Sequence, residues 1–176
     1  MGLKALVSRY PLSSWFILAD SDCFLFPKRI ADSLLPQYDS IIPQAIGLHF
    51  VRHEKNEMRT ALLGGPGTII SLAGIQKMNL SMCLEYQKTK LEWNRRGSDW
   101  RLGLCFEAAN VTLVHQPFLQ MLNHKNTCGI HGPPHCTAFY EKYQTKTTCP
   151  YSLHYMSPIE MHYVFRNISH IDCKPG

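Results

Sequence analysis

Apolar runs of strand length and helical apolar stripes alternate along this chain. Residues 15–19 form a continuous apolar run, which is typical of a buried strand, and the run ends in the acidic turn Asp20-Ser21-Asp22. Residues 28–35 then carry apolar side chains at helical spacing and end before a proline. The first part of the chain is therefore predicted to contain a strand, an acidic turn and a helix.

The middle of the chain continues this alternation. Residues 45–51 predict a second strand, and the polar residues 53–59 predict a loop or a sheet edge. A glycine-rich turn at residues 64–67 precedes another apolar run, residues 68–71, and an amphipathic helix. The apolar side of that helix consists of Ile75, Met78, Met82 and Tyr86.

A further helix is predicted to begin with Ser98 as its N-cap, because the residues that follow form one apolar stripe. The stripe has helical spacing and consists of Leu102, Cys105, Phe106 and Ala109. Asp99 lies in the first turn of this helix, and we expect its carboxylate to project toward the side that the helix buries. A merely solvated carboxylate is less expected there, so Asp99 is a candidate functional residue.

The pattern as a whole predicts one α/β domain that spans residues 1–176. Short strands at residues 111–114 and 152–155 and a closing helix at residues 159–168 complete the alternation, which favours a mainly parallel sheet with flanking helices. A Cys- and Pro-rich loop, residues 124–150, lies within the domain. Hydrophobic residues make up 45% of the chain and charged residues 18%, as in globular proteins, so the chain is expected to fold.

Charge and cysteine content narrow the classes of function. The formal net charge is +5, but the basic residues are scattered, which argues against nucleic-acid binding. Seven cysteines and three Asn-x-Ser/Thr sequons, at Asn79, Asn110 and Asn167, together favour the secretory pathway. No run approaches the roughly 18 apolar residues of a membrane span, and residues 1–11 lack the apolar core of a signal peptide. A targeting segment is therefore expected upstream.

The acidic turn at residues 20–22 is the first candidate site. In open α/β sheets, ligands bind just beyond the carboxyl ends of strands, and this turn follows a predicted strand. Two carboxylates on one turn supply hard oxygen ligands for magnesium or manganese, and such an ion can bridge the phosphates of a nucleotide-sugar. An ordinary polar turn after a strand has the same composition, so this pattern alone leaves both interpretations open.

Five segments match, in the same order, the motifs of one enzyme family. Residues 15–22 resemble its Trp-aromatic-x-x-x-Asp-Asp-Asp strand end, and residues 64–71 resemble its Gly-Gly-Ala-Gly-Tyr-Val-Leu-Ser segment. Residues 98–105 are similar to its Glu-Asp-x-x-x-Gly-x-Cys, and residues 114–118 to its Phe-His-Pro-Phe. Residues 152–156 are similar to the Ser-Phe-His-Tyr-Val of one branch. The chain thus resembles the Fringe and core 1 beta-1,3-galactosyltransferase family of inverting glycosyltransferases.

This resemblance implies an activity, a cofactor and a set of site residues. The activity is manganese-dependent transfer of a hexose, galactose from UDP-galactose, in beta-1,3 linkage to a glycan or glycoprotein acceptor. Asp20 and Asp22 would match the metal-binding carboxylates, and His115 would match the histidine that completes the metal site. Asp99 would match the catalytic base. The residues that bind the nucleotide-sugar cofactor would be Asp20, Ser21, Asp22, Gly64 and Gly65.

The resemblance also implies a fold and a location. The fold would be a partial Rossmann-like fold of the GT-A type, in which the first βα units, which hold the uracil and ribose, are missing. The full-length protein would be a type II membrane protein of the Golgi or secretory-pathway lumen, with its anchor upstream of residue 1. A sheet without its first strands exposes an edge and an apolar face, which makes a homodimer an expectation.

Four positions depart from the family motifs. Ser21 stands where the family has its middle acid, and Ser98 stands where it has Glu. Pro66 replaces Ala, and Thr68 replaces an aromatic residue. These changes keep open the alternative of a catalytically inactive relative that serves as a binding or chaperone-like module. They also leave the donor sugar undecided, because the middle acid and the glycine segment help to select it.

The cysteines suggest disulfides. Cys83 and Cys105 resemble a disulfide of the family, with two buried free thiols as the alternative. A second group has the residue types of a zinc site and consists of Cys128, His131, His135 and Cys136. The stiff double-proline loop between them and a third cysteine nearby favour disulfides over zinc.

Overall fold

The computed structural model describes residues 2–54, 57–90, 97–120, 150–156 and 158–167. The helices are α1 (Gly2–Arg9), α2 (Pro27–Arg29), α3 (Leu72–Lys77), α4 (Leu80–Thr89), α5 (Ser98–Ala108) and α6 (Pro158–Asn167). The strands are β1 (Trp15–Leu18), β2 (Phe24–Leu25), β3 (Gln44–Gly47), β4 (His49–Glu54), β5 (Glu57–Leu62), β6 (Thr68–Ser71), β7 (Thr112–His115), β8 (Leu119–Gln120) and β9 (Ser152–Leu153). A π-helical turn (Ile30–Leu34) and a 3-10 turn (Leu35–Gln37) continue α2.

The main sheet has four strands in the order β1-β6-β3-β7. β6 is antiparallel to β1 and to β3, whereas β3 and β7 are parallel. β1, β3 and β7 therefore run in one direction, and β6 runs in the other because the hairpin of β4 and β5 returns the chain to the edge where β3 ended. The predicted α/β class is confirmed, with a mixed sheet. The ends of β1, β3 and β7 and the start of β6 share one edge, called the site edge below.

Side chains alternate along each strand, so the two faces of this sheet meet different cores. One face, called the α5 face, packs in the core that includes residues of α3, α4 and α5, and its strand residues are Phe16, Ala45, Ile70 and Leu113. The opposite face packs against the helical turns after β2 and against Tyr151, and its strand residues are Ile17, Ile46, Ile69 and Val114. Each fully buried aliphatic side chain contributes about 1.5 to 3 kcal/mol to this packing.

A small second sheet, in the order β2-β9-β8, joins distant parts of the chain. β2 and β9 are antiparallel, with Phe24 opposite Leu153. The Met156 backbone N–H donates to the carbonyl oxygen of Asp22 (2.9 Å), which extends the contact beyond the strands. The second sheet therefore holds the segment after β9 against the acidic turn.

Three predicted elements differ from the observed ones. Residues 45–51 form parts of two strands, β3 and β4, rather than one strand. The polar residues 53–59 lie largely in the hairpin of β4 and β5, where backbone pairing rather than an apolar run defines the strands. The amphipathic helix is divided into α3 and α4 because the Asn79 side chain accepts from the Ser81 backbone N–H (2.9 Å) and starts a new helix.

Helix α5 follows the predicted pattern closely. Cys105, Phe106 and Ala109 are buried, as the stripe predicted. The helix begins at Ser98 with Gly97 in the N-cap position, so the prediction of Ser98 as the cap is wrong by one residue. A disulfide joins Cys83 of α4 to Cys105 of α5, which confirms the implied pair.

Three further predictions concern the closing helix, the Cys- and Pro-rich loop and membrane-spanning segments. The helix predicted at residues 159–168 is α6 (Pro158–Asn167). Nearly all of the Cys- and Pro-rich loop at 124–150, with its cysteines and histidines, lies outside the described residues. Across the segments that the structure describes, no helix combines the length and apolar character needed to cross a membrane.

Candidate functional site

The acidic turn lies at the carboxyl end of β1, on the site edge. The Cys23 backbone N–H donates to the carbonyl oxygen of Asp20 (3.1 Å), which closes a β-turn around Ser21. The side chains of Asp20 and Asp22 are 66% and 44% exposed. Both carboxylates can therefore reach a ligand outside the protein.

His154 lies against these two carboxylates. Its Nε2 is 3.1 Å from Oδ1 of Asp22 and 3.7 Å from Oδ2 of Asp20. One ligand atom from each of the three residues lies within 4.8 Å of the others, so the group could hold a metal ion. The pairing of β2 with β9 creates this contact between residues far apart in the sequence.

His154 is held tightly in place. Its side chain is 6% exposed, and its ring stacks on Tyr155 with ring centroids 3.9 Å apart. Tyr155 has a positive φ of 62°, which is uncommon for a residue other than glycine and turns the chain directly after the histidine. His154 Nδ1 is buried and has no hydrogen-bond partner in the described part of the chain.

The side chains of Asp20, Asp22 and His154 suit a manganese or magnesium ion with one imidazole ligand. Carboxylate oxygens are the ligands that these ions prefer, and Nε2 of His154, which faces both carboxylates, offers a nitrogen ligand beside them. Burial and the negative charges of Asp22 and Asp20 raise the pKa of the neighbouring Cys23 thiol to about 12. Among the described residues, the candidate group contains no cysteine, so oxygen and nitrogen atoms define its chemistry.

Gly64 and Gly65 pack against the candidate site residues. A Cβ atom on Gly64 would lie 2.7 Å from Oδ1 of Asp99, and a Cβ atom on Gly65 would overlap the imidazole of His154. The Gly67 backbone N–H donates to the Gly64 carbonyl oxygen (2.9 Å), and this turn leads into β6 at the site edge. Two adjacent glycines therefore separate Asp99 from the group of His154 and the two aspartates.

Asp99 occupies the first turn of α5 and is half-buried. The Ser98 hydroxyl donates to Oδ1 of Asp99 (3.3 Å), and the carboxylate faces Gly64. Because α5 connects directly to the start of β7, it runs opposite to β7, and its first turn lies toward the site edge. The expected projection of Asp99 toward the buried side of the helix agrees with this contact.

The structure places His115 apart from the carboxylate group. Among the described residues, the candidate metal group contains Asp20, Asp22 and His154 but not His115. His115 ends β7, where its Nδ1 accepts from the His49 backbone N–H (3.1 Å) and its ring lies 5.0 Å from that of His49. Burial, and next the charge of His115, lower the pKa of His49 below its ordinary value.

The structure thus brings Asp20, Asp22, Gly64, Gly65 and Asp99 together around His154, with Ser21 exposed in the turn. The sequence reasoning assigned no role to His154. A signal was present, because residues 152–156 match a family motif that contains this histidine. The match gave no spatial information, so it could not link the histidine to the acidic turn.

Comparisons with known proteins give two similar glycosyltransferases. No family model matches the chain. Over 104 residues the chain is 28% identical to a mouse (Mus musculus) beta-1,3-glucosyltransferase, and the match covers 59% of this chain and 20% of that protein. The chain therefore spans about a fifth of the length of this relative. In structure it is similar, with a TM-score of 0.49 and 13% identity, to a solved "glycosyltransferase involved in the glycosylation of the major capsid of PBCV-1", covering 94% of this chain and 72% of that one.

Proposed function

We propose that this chain is the catalytic part of a metal-dependent, inverting beta-1,3-glycosyltransferase that uses a UDP-hexose donor. The observation that carries the proposal is the meeting of a metal-type group, Asp20, Asp22 and His154, with the carboxylate of Asp99 across two glycines. Galactose is the proposed hexose, on the resemblance to the core 1 branch. Glucose is the alternative, because the relative in mouse is named a glucosyltransferase.

Asp20, Asp22 and His154 would hold a divalent ion, for which manganese is proposed. When bound, such an ion neutralises the negative charge of the donor's diphosphate and of the departing UDP. Asp22 and His154 face each other most closely, and His154 is fixed by burial and by Tyr155. The two residues therefore present their ligand atoms in a preformed arrangement, which lowers the cost of binding.

Asp99 would act as the general base. In an inverting transfer, the acceptor hydroxyl attacks the anomeric carbon on the face opposite the diphosphate. The oxygen–hydrogen bond of the acceptor breaks and its proton passes to a carboxylate oxygen of Asp99, while the bond from the anomeric carbon to the phosphate oxygen breaks and its electron pair leaves with UDP. Gly64 leaves room for the carboxylate, and Ser98 donates a hydrogen bond to the same oxygen that faces Gly64.

The proposed setting is the secretory pathway, with a glycan or glycoprotein as the acceptor. The Cys83–Cys105 disulfide supports an oxidising compartment. Two of the sequon asparagines, Asn79 and Asn110, are exposed in the described structure, which is compatible with glycosylation there. A Golgi location and an upstream membrane anchor remain part of this proposal.

The test is transfer from UDP-galactose and UDP-glucose to a panel of p-nitrophenyl glycosides, with manganese and with EDTA. We expect manganese-dependent transfer by the full-length protein that contains this chain, which is the parent of all variants below. Asp99→Asn should lower kcat at least about a hundredfold, because the amide cannot accept the proton, with donor affinity little changed. Asp22→Asn should abolish transfer, so that adding manganese no longer changes the rate.

Two outcomes would contradict the proposal. Full transfer by Asp99→Asn would show that the base lies elsewhere. Donor binding by the parent chain with neither transfer nor hydrolysis would instead favour the alternative of a catalytically inactive binding or chaperone-like module. Isothermal titration with UDP and manganese separates this second case from a chain that does not bind donor at all.

A further inference from the structure

His115 lies on the same face of the main sheet as Asp99. Leu113 belongs to the core of the α5 face, and Val114 belongs to the core of the opposite face. Side chains alternate along a strand, so His115 returns to the α5 face. It is the last residue of β7, and it is exposed. His115 and Asp99 therefore lie toward the same edge and on the same face of the sheet.

His115 and the acidic turn lie at opposite ends of the site edge. In the strand order β1-β6-β3-β7, the acidic turn follows β1, the glycine turn that faces Asp99 precedes β6, and His115 ends β7. Neighbouring strands are about 4.8 Å apart, so β1 and β7 are separated by about 14 Å. If the diphosphate of the UDP-hexose lies at the acidic turn, the end of β7 on the site edge is left for the acceptor.

The hydrogen bond from the His49 backbone determines which nitrogen of His115 is available. Nδ1 of His115 accepts the His49 N–H (3.1 Å), so it carries no proton while that bond is made. The proton of the neutral ring is then on Nε2. The fold thus holds His115 as a hydrogen-bond donor whose side chain is open to solvent.

We propose that Nε2–H of His115 donates to an oxygen of the acceptor sugar and so positions the attacking hydroxyl beside Asp99. The proposal rests on the proposed function, because it places the acceptor at the β7 end of a site whose donor end is the acidic turn. An acceptor sugar carries several hydroxyl and ring oxygens that can accept such a bond. His115 thereby gains a role that does not require contact with the metal.

Two substitutions of His115 distinguish the proposed hydrogen bond from Nε2 from the observed hydrogen bond between Nδ1 and the His49 backbone. The amide oxygen of His115→Asn can replace Nδ1 and accept the His49 N–H, but Asn is too short to replace Nε2. The longer amide of His115→Gln can place an N–H near the position of Nε2. His53→Gln, a change at an exposed histidine of the hairpin strand β4, serves as the control.

The experiment measures the acceptor KM with p-nitrophenyl glycosides, the donor KM from UDP-galactose hydrolysis without acceptor, and the manganese concentration for half-maximal activity. His115→Asn should raise the acceptor KM about three- to tenfold, which is the effect of one neutral hydrogen bond. The donor KM and the manganese concentration for half-maximal activity should stay unchanged. His115→Gln should recover most of the loss. His53→Gln should match the parent.

Four results would overturn this role. A change in the manganese requirement of His115→Asn would make His115 a metal ligand, and a change in the donor KM alone would place it at the donor. An acceptor KM equal to that of the parent would remove His115 from the acceptor site while the proposed function stands. A parent chain that transfers to no member of the panel would overturn the proposed function and this inference with it.

Discussion

Gly64 and Gly65 show why two positions in the turn before β6 need to lack a side chain. Asp99 occupies the space where a Cβ atom of Gly64 would be, and the His154 ring occupies that of Gly65. Neither glycine has a positive φ, so the requirement is for space rather than for an unusual backbone conformation. The glycine pair of the sequence is therefore explained by the side chains of Asp99 and His154, which pack directly against it.

This arrangement predicts different defects from two neighbouring substitutions. Gly64→Ala should displace the Asp99 carboxylate and lower kcat about ten- to hundredfold, because small displacements of a reacting group are costly. Its manganese requirement should stay unchanged. Gly65→Ala should displace His154 and raise the manganese concentration for half-maximal activity by about tenfold or more.

Each glycine variant is the control for the other, since both alanines can adopt the backbone conformation of the turn. Manganese titrations of activity, with kcat measured at saturation, distinguish the two effects. If both variants showed the same defect, the turn would act as a whole and the separate contacts with Asp99 and His154 would not explain it.

Single residues also mark the limit of what could be predicted from this sequence. Asp20, Asp22 and Asp99 could be selected because each lies next to a local pattern, a strand end or a helix start. His115 ends a short strand and His154 follows one, and no local pattern shows which of them meets the acidic turn. That choice depends on the pairing of β2 with β9, which is a long-range contact.

Among the elements, those with regular periodicity could be predicted and those without it could not. Helix α5 has an apolar stripe, and β1 has a continuous apolar run, so both were found within one or two residues. Strands β2 and β8 have two residues each, which is too short for a period to be visible, and the strand predicted at residues 152–155, which contains β9, carries no local signal of its partners. The small sheet that completes the candidate metal group was therefore outside the reach of pattern analysis.

The link between α4 and α5 supports a prediction about stability. The Cys83–Cys105 disulfide joins residues with a sequence separation of 22, and its loss should lower the free energy of unfolding by about 3 kcal/mol. α5 carries Asp99, so the same bond stabilises the helix that presents the proposed base.

Urea unfolding of the parent, with and without reductant, and of the double variant Cys83→Ser and Cys105→Ser gives the measurement. The double variant should be less stable than the oxidised parent and should lose little more on reduction. Equal stabilities for the oxidised parent and the double variant would show that the bond does not constrain the fold.

In the molecule as a whole, the proposed metal group connects the start of the chain to its end. Asp22 follows β1, and His154 follows β9, so an ion bound by both would close most of the chain into one loop. A ligand that binds the folded but not the unfolded state stabilises the fold in proportion to the logarithm of its concentration.

We therefore expect manganese at a hundred times its Kd to add about 2.7 kcal/mol to the free energy of unfolding and to raise Tm by roughly 5 to 10 °C. EDTA should reverse the shift, and Asp22→Asn and His154→Gln should abolish most of it. His115→Asn, which lies outside the group, should keep the full shift. If His115→Asn lost the Tm shift and His154→Gln kept it, His115 would be the metal ligand and the proposed assignment of His154 would be wrong.

The reversed direction of β6 has a consequence for substrate selection. Because β6 starts where its neighbours end, the backbone of one turn lies between the proposed base and the proposed metal group. Gly64 and Gly65 are consecutive, so their Cα atoms are about 3.8 Å apart, and each has one side chain of the proposed site against it. In the proposed reaction, the turn would therefore fix how far the leaving group lies from the proton acceptor. An enzyme built in this way can choose among acceptor hydroxyls by distance, without a separate contact for each one.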